Sequence, residues 1–453
     1  MDYKHALKGV CVSNNETPSL KRTLGLFSLV AFGVGDILGA GIYALVGKIA
    51  GIVGPACWMS FAFSFFVACL TGLSYAELGS RFPRAGGESY YSLRAFGRPM
   101  LSHAIGFLVL MSGIVSMAAV SHAFGGYLRA VFPSVPLWLV IVLFFSLMAA
   151  VSFWGMKEAS FTNVVCTAVE VFGLLIIIFI GLAHFGRVNY FEFKDQVAGG
   201  ISGFGKWGAV FHGSLLAFYA FIGFEDMVKA SEEAYAPAEI MPKAILWSLG
   251  ITGVIYVLTA VAVVSVVPMG ELMHSQAPLM LVVEKGAPWV PRGLFTLIAL
   301  FAVSNTALVN FIGGSRLLYG MAKEGLAPKI FGYVHPARRT PDWAIGAVFL
   351  TALVLGLTGT LALLAQSTAA LLLIVFVTVN ASLIVIHWRE GKSKRQGFFV
   401  PRFVPVLGMV STFFLTFQIQ ATALIPVGIL TLISLALFAA AKFFPREKGN
   451  PRV

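Results

Sequence analysis

Long apolar runs, nearly free of charge, recur along the whole of this 453-residue chain. A helix rises about 1.5 Å per residue, so about 20 apolar residues cross the hydrocarbon of a bilayer. Twelve runs approach or exceed that length: 24–50, 55–79, 100–128, 136–155, 161–185, 207–228, 242–267, 293–320, 343–362, 366–387, 403–421 and 423–443. Only the region of Ile425 and Pro426 divides the last two, so eleven spans is the alternative count. Charged residues make up 11% of the chain, against about 25% in a soluble domain. A soluble enzyme, a disordered chain and a disulfide scaffold are excluded. The expected fold is an all-α polytopic membrane protein.

The formal net charge is +12, which raises the question of nucleic acid. The basic residues sit in short loops between apolar runs and not on one soluble face, so no nucleic-acid partner is expected. They decide orientation instead. With the N-terminus inside, most of the 32 Lys and Arg residues fall on the inner side, among them Arg81, Arg84, Arg316, Arg338, Arg339 and Arg389. That bias favours an even span count and both termini cytoplasmic. Residence in the plasma (inner) membrane, with lipid as a partner, is the expected localisation. Cys11, Cys57, Cys69 and Cys166 have neither redox nor metal-ligand spacing, so no disulfide, metal or cofactor is expected. The loops are too short for a catalytic domain, and the titratable groups are scattered singly. An enzyme is therefore the weaker class. An ATP-driven pump lacks its phosphate-binding motif.

Two spans carry interruptions. The first reads Gly33-Val34-Gly35-Asp36-Ile37-Leu38-Gly39-Ala40-Gly41, four glycines in nine residues. Each glycine costs a helix about 1 kcal/mol relative to alanine. The stretch is either a close-packed small-residue face or an unwound segment, and unwound backbone is tolerated at membrane depth only beside a cavity. The sixth span meets Gly223 and then Glu225 and Asp226. Paired interrupted helices at corresponding places in two halves point to a transport site.

These stretches resemble the amino acid–polyamine–organocation superfamily, in its branch of bacterial amino acid permeases related to cationic amino acid transporters. Gly35 to Tyr43 is similar to its first-helix signature. Tyr75-Ala76-Glu77-Leu78 with Pro83 to Tyr90 resembles its second helix and inner loop. Phe221 to Glu225, with Glu232-Glu233 and Ile240 to Ile245, resembles its sixth helix, and Ser315 to Gly325 its eighth. The resemblance covers about residues 20–440.

What it implies is a 5+5 inverted repeat of twelve transmembrane helices, with helices 1 and 6 discontinuous and two extra helices at the C-terminus. The chain then divides into a cytoplasmic tail (1–22), a ten-helix core (23–388, repeats about 23–186 and 205–388), a cytoplasmic loop (389–402), helices 11 and 12 (403–443) and a second tail (444–453). It further implies secondary active transport of cationic or neutral L-amino acids by alternating access. Proton-coupled symport is the expected mode, and exchange of amino acids or polyamines is the alternative. In relatives the N–H groups of Gly39, Ala40 and Gly41 hold the substrate carboxylate. Carbonyls near Ile37 and Phe221 receive the ammonium, and Tyr219 lies where an aromatic gate is placed.

Charges at membrane depth are costly and mostly functional. Asp36 is read as an ammonium contact, a proton carrier or a cap on the broken backbone. Glu170 stands where some proton-coupled relatives carry a lysine, so that lysine mechanism does not transfer. A carboxylate there is a candidate carrier of the coupling proton, because burial disfavours the charged form. Glu225 and Asp226 open the second half of helix 6, and Glu88 is expected to join ion pairs with the loop arginines. Asn305 and Asn310, in an apolar helix, need partners. Met111 and Ser112 are expected to shape the side-chain pocket. Oligomeric state is not legible.

Overall fold

In the computed structural model, residues 22–132, 134–154, 156–193, 206–275, 277–359, 361–390, 397–419, 428 and 431–432 are described. The first half contains α1 (Leu26–Ile37), α2 (Ala40–Val53), α3 (Trp58–Arg81), α4 (Gly87–Phe96), α5 (Pro99–Val131), α6 (Leu137–Trp154) and α7 (Met156–Leu182). The second contains α8 (Lys206–Ala220), α9 (Asp226–Lys229), α10 (Pro237–Val266), α11 (Met269–Leu272), α12 (Pro278–Gly286), α13 (Arg292–Lys323), α14 (Asp342–Thr358) and α15 (Leu361–Glu390), followed by α16 (Phe403–Thr416). Among the described residues the only β-type pairing is a single bridge between Leu24 and Ala234.

Eight helices, counting α1 with α2 as one, are long and apolar enough to cross a membrane, and α14 and α16 are shorter apolar helices. Their outward faces carry Phe66, Trp138, Leu147, Phe179, Trp247 and Leu350 to the surface, as expected where the solvent is lipid. The twelfth expected span and both tails lie outside the described residues, apart from Arg22, Gly428, Thr431 and Leu432. The connection between the expected spans 242–267 and 293–320 holds α11 and α12. These two are shorter than a membrane span, so hydropathy does not mark them.

Local chemistry sets the helix ends. Proline stands in the first turn of α5, α10 and α12, where its missing N–H has no intrahelical partner to lose. Pro242 lies deeper in α10 and leaves the carbonyl four residues earlier without its donor. That carbonyl, on Ala238, accepts from the Ser80 hydroxyl at 2.5 Å, which ties α10 to α3. The two helices pack along much of their lengths, as do α5 with α13 and α5 with α15.

Candidate functional site

The two interrupted spans break where the glycines stand. α1 stops at Ile37, and Gly39 caps α2 with a non-helical ψ of −149°. The Ala40 and Gly41 amides thus begin a helix whose first N–H groups have no intrahelical acceptor. α8 stops at Ala220, and a turn over 221–225 leads into the single turn of α9. Gly223 has φ +134°, a conformation that side chains rarely adopt. A methyl there would stand 2.9 Å from the Asp36 carboxyl carbon. Glycine at this place lets the second break lie directly on the first.

Between the breaks lies a small cavity. Its lining includes Asp36, Gly39, Gly41, Tyr219, Gly223, Glu225, Asp226, Thr306 and Asn310, with Ser116 and Val120 from α5. It gives water centres about 30 Å³, room for one or two waters. Three carboxylates face it. Glu225 accepts from the Gly223 N–H at 2.8 Å and so caps the turn. Asp226 is ion-paired with Lys229, both buried. Asp36 receives only the Asn310 amide, at 3.3 Å. Its other oxygen and the Thr306 hydroxyl are buried without partners among the described residues. A buried polar atom left without a partner costs about 1–3 kcal/mol, so these two atoms favour an occupant that donates and accepts.

Tyr256 of α10 joins the two breaks from behind. Its hydroxyl lies within hydrogen-bond reach of the Ile37 carbonyl and, at 2.9 Å, of the Ala220 carbonyl. Its ring meets Phe221 edge-on at 5.0 Å.

A second polar cluster lies on the other side of α1. Asn305 bridges three groups: it donates to Thr167 at 2.9 Å and to Glu170 at 3.4 Å, and accepts from Asn163 at 2.8 Å. Thr167 donates to the Ala31 carbonyl at 3.0 Å. One Glu170 oxygen is buried with no partner among the described residues. Gly35 packs against Thr167 and Asn305, so consecutive residues of α1, Gly35 and Asp36, touch the two clusters.

A family profile described as amino acid permease matches residues 24–451. The chain belongs to the amino acid permease family. It is 27% identical over 440 residues to the branched-chain amino acid permease BcaP of Bacillus subtilis, covering 92% of this chain and 91% of that one. It is 30% identical over 406 residues to human cationic amino acid transporter 4, covering 85% of this chain but 62% of that protein. A methylthioribose transporter of Bacillus subtilis is 26% identical over 421 residues, covering 88% of each chain. The permease is thus an integral membrane protein of amino acid transport, and the relatives are transporters rather than enzymes.

Of the residues singled out in the sequence, Asp36, Ile37, Gly39, Gly41, Tyr219, Gly223, Glu225, Asp226 and Asn310 line the permease's cavity. Ala40 contributes backbone at the start of α2. Phe221 points into the aromatic packing with Phe65 and Tyr256. Met111 and Ser112 are not among the lining residues, and the Ser112 hydroxyl bonds back to Val109 at 2.8 Å. The lining of α5 is set further along, at Ser116 and Val120. Glu170 and Asn305 form the second cluster. Thr306 and Tyr256 were not singled out. Thr306 adjoins Asn305 in a span already marked as polar, whereas nothing local marks Tyr256.

The face at the start of α1 is closed by backbone and charge. Thr23 and Leu24 donate to the Glu233 carbonyl at 2.8 and 3.0 Å, and Tyr235 donates to Leu24 at 3.1 Å. The Glu233 carboxylate meets Arg316 at 3.0 Å, both buried. Burial pushes the Glu233 carboxyl above the usual range, while the Arg316 guanidinium pulls it down. Glu88 departs from its expected ion pair with the loop arginines. It is buried and accepts from Tyr75 at 3.1 Å, and burial raises its carboxyl against the pull of Lys229. Arg81 turns instead to Glu77 and Glu390. Glu77 also holds His387 at 2.8 Å and the Val400 N–H at 2.9 Å, so it joins α3 and α15 to the segment before α16.

Proposed function

We propose that the permease is a secondary active transporter that moves an amino acid bearing a cationic group by alternating access, coupled to a proton. The observation that carries this reading is the cavity between the two breaks. It is lined by three acids, only one of them ion-paired to a base, and it leaves Asp36 and Thr306 with unpartnered buried atoms. The amides of Gly39, Ala40 and Gly41 take the substrate carboxylate at the start of α2, where the helix dipole favours an anion. Asp36 takes the ammonium, with Asn310 fixing its other oxygen. Tyr219 covers the substrate. The cavity, about 30 Å³ for water centres, is too small for an amino acid, so the site must widen as the broken helices part.

Glu170 is proposed as the proton carrier. It is buried, has an oxygen without a partner, and touches α1 through Asn305 and Thr167, so its charge state bears on the helix that lines the substrate site. The fold reading is two inverted five-helix repeats with two added helices, twelve spans in all, both termini cytoplasmic. Helix packing supports the repeat, because contacts occur in couples that exchange on a shift of five spans. The first span packs on the seventh (α1 on α10), as the second packs on the sixth (α3 on α8). The third packs on the tenth (α5 on α15), as the eighth packs on the fifth (α13 on α7).

The test is tracer uptake into proteoliposomes of lysine, arginine, leucine and a diamine, with and without an inward proton gradient. The reading expects saturable uptake of a cationic amino acid, stimulated by the gradient and abolished by Asp36→Asn. Uptake of leucine alone, unaffected by Asp36→Asn, would overturn the assignment of the cationic substrate. Uptake that ignores the gradient but requires internal substrate would make the permease an exchanger.

A further inference from the structure

A second and larger cleft opens on the face that the charge bias places inside. It gives water centres about 520 Å³ and is lined by Arg22, Arg81, Phe82, Pro83, Arg84, Tyr90, Ser231, Glu232 and Pro237. Three elements meet there: the segment leading into α1, the turn between α3 and α4, and the segment linking α9 to α10.

Its charge is unbalanced. Arg81 is held by Glu77 and Glu390. Arg22 and Arg84 are exposed, and neither has an ion-pair partner among the described residues. Glu324 feels the charge of Arg84, but no ion pair joins them. The one acid in the lining, Glu232, accepts from the Ala85 N–H at 3.0 Å. Ser231 is fully buried, yet its hydroxyl, in the lining, has no partner among the described residues. Two guanidinium groups with no ion pair among the described residues and a spare hydroxyl thus line an open cleft whose one acid, Glu232, is already engaged by a backbone amide.

We propose that this cleft binds a phosphate group and that the bound phosphate braces the inner closure. Guanidinium groups suit phosphate because their N–H donors match its oxygens in pairs. At this face two sources offer one: the headgroup of an anionic lipid of the inner leaflet, or free phosphate from the cytoplasm. The occupant spans parts that must separate for the inner side to open. Arg22 precedes the pair of amides, Thr23 and Leu24, that bond to Glu233, and Ser231 lies two residues before that acceptor. A ligand touching both Arg22 and Ser231 therefore binds the closed arrangement better than an open one. By linkage it shifts the population toward closure.

The experiment uses the full chain in nanodiscs of zwitterionic phosphatidylcholine. Short-chain phosphatidylglycerol and inorganic phosphate are titrated in separate arms. Binding is read by calorimetry, and hydrogen exchange is followed in peptides holding the Thr23, Leu24 and Tyr235 amides. The expected result is saturable binding that slows exchange there about fivefold or more. The Arg22→Gln, Arg84→Gln double variant and, separately, Ser231→Ala should weaken binding, the double by about tenfold or more. Arg98→Gln, an exposed arginine outside the lining, should leave it unchanged. A response to the lipid alone identifies the headgroup as the source. A response to inorganic phosphate identifies the free anion. No saturable binding of either probe, or binding that the double variant leaves intact, overturns the proposal. No substrate enters the readout, so a negative result leaves the transport reading standing.

Discussion

Replacing Tyr256 with phenylalanine isolates one hydroxyl at the point where the two broken helices are tied together. The ring contacts with Phe61 and Phe221 survive the change, because only the oxygen is removed. That oxygen serves the carbonyls of Ile37 and Ala220, each at the C-terminal end of a helix and so without an intrahelical donor. A hydroxyl has one proton, so one donated bond is lost and a buried acceptor is left unsatisfied, at about 1–3 kcal/mol. The ring oxygen can reach both carbonyls only while the breaks lie together, so the loss falls on the closed state. A differential of that size is about a 5- to 150-fold shift in the equilibrium between closed and open forms. If substrate is held tightly only when the breaks close over it, its dissociation constant should rise within that range. Equilibrium binding of labelled substrate to purified Tyr256→Phe, with melting in detergent as a control for folding, measures this. Binding and turnover within twofold of the parent would refute the idea that this hydroxyl couples the two breaks.

Other changes test separate parts of the site. Gly223→Ala forces a side chain into φ +134° and against the Asp36 carboxyl. A strained backbone of this kind costs about 1–3 kcal/mol, and uptake should fall by at least about tenfold while the protein still inserts and purifies. Glu170→Gln should abolish stimulation by a proton gradient yet keep substrate counterflow, as read in the same proteoliposomes. Glu233→Gln strands the buried Arg316 charge and should lower stability by about 3–5 kcal/mol. Adding Arg316→Met should recover much of that loss, as measured by thermal melting.

Eight of the spans and the places of the two breaks were legible in the sequence for a physical reason. Lipid selects for apolar length, and clustered glycine marks a helix that cannot continue. Asp36, Glu170 and Asn305 stood out because a polar group at membrane depth has few harmless explanations. Met111 and Ser112 show the limit. α5 is apolar nearly all round, so the sequence marks the stretch Met111-Ser112-Gly113-Ser116 as facing the cavity but not which of its residues do. Ser116 lines it, with Val120, and Met111 and Ser112 do not. Tyr256 was hidden for a related reason. An aromatic residue in an apolar span is ordinary, and its hydroxyl acquires a role only when residues 219 and 36 positions away in the sequence are brought to it. The Ser80 bond to Ala238 is similar: Pro242 announces a freed carbonyl, but not which helix supplies the donor.

The imbalance of acids around the cavity has a consequence for voltage. Asp36, Glu225 and Asp226 ride on the two broken helices with one ammonium, that of Lys229, among them. In the proposed cycle a cationic substrate offsets part of this charge when the site is loaded, so the returning empty site is the more negative form. An elementary charge crossing a potential of 100 mV exchanges about 2.3 kcal/mol. Where Asp36 is ionised in the empty site, a membrane negative inside drives that site to face outward. The cell's electrical potential would then set the pace of the return stroke, even for a carrier whose chemical gradient is spent.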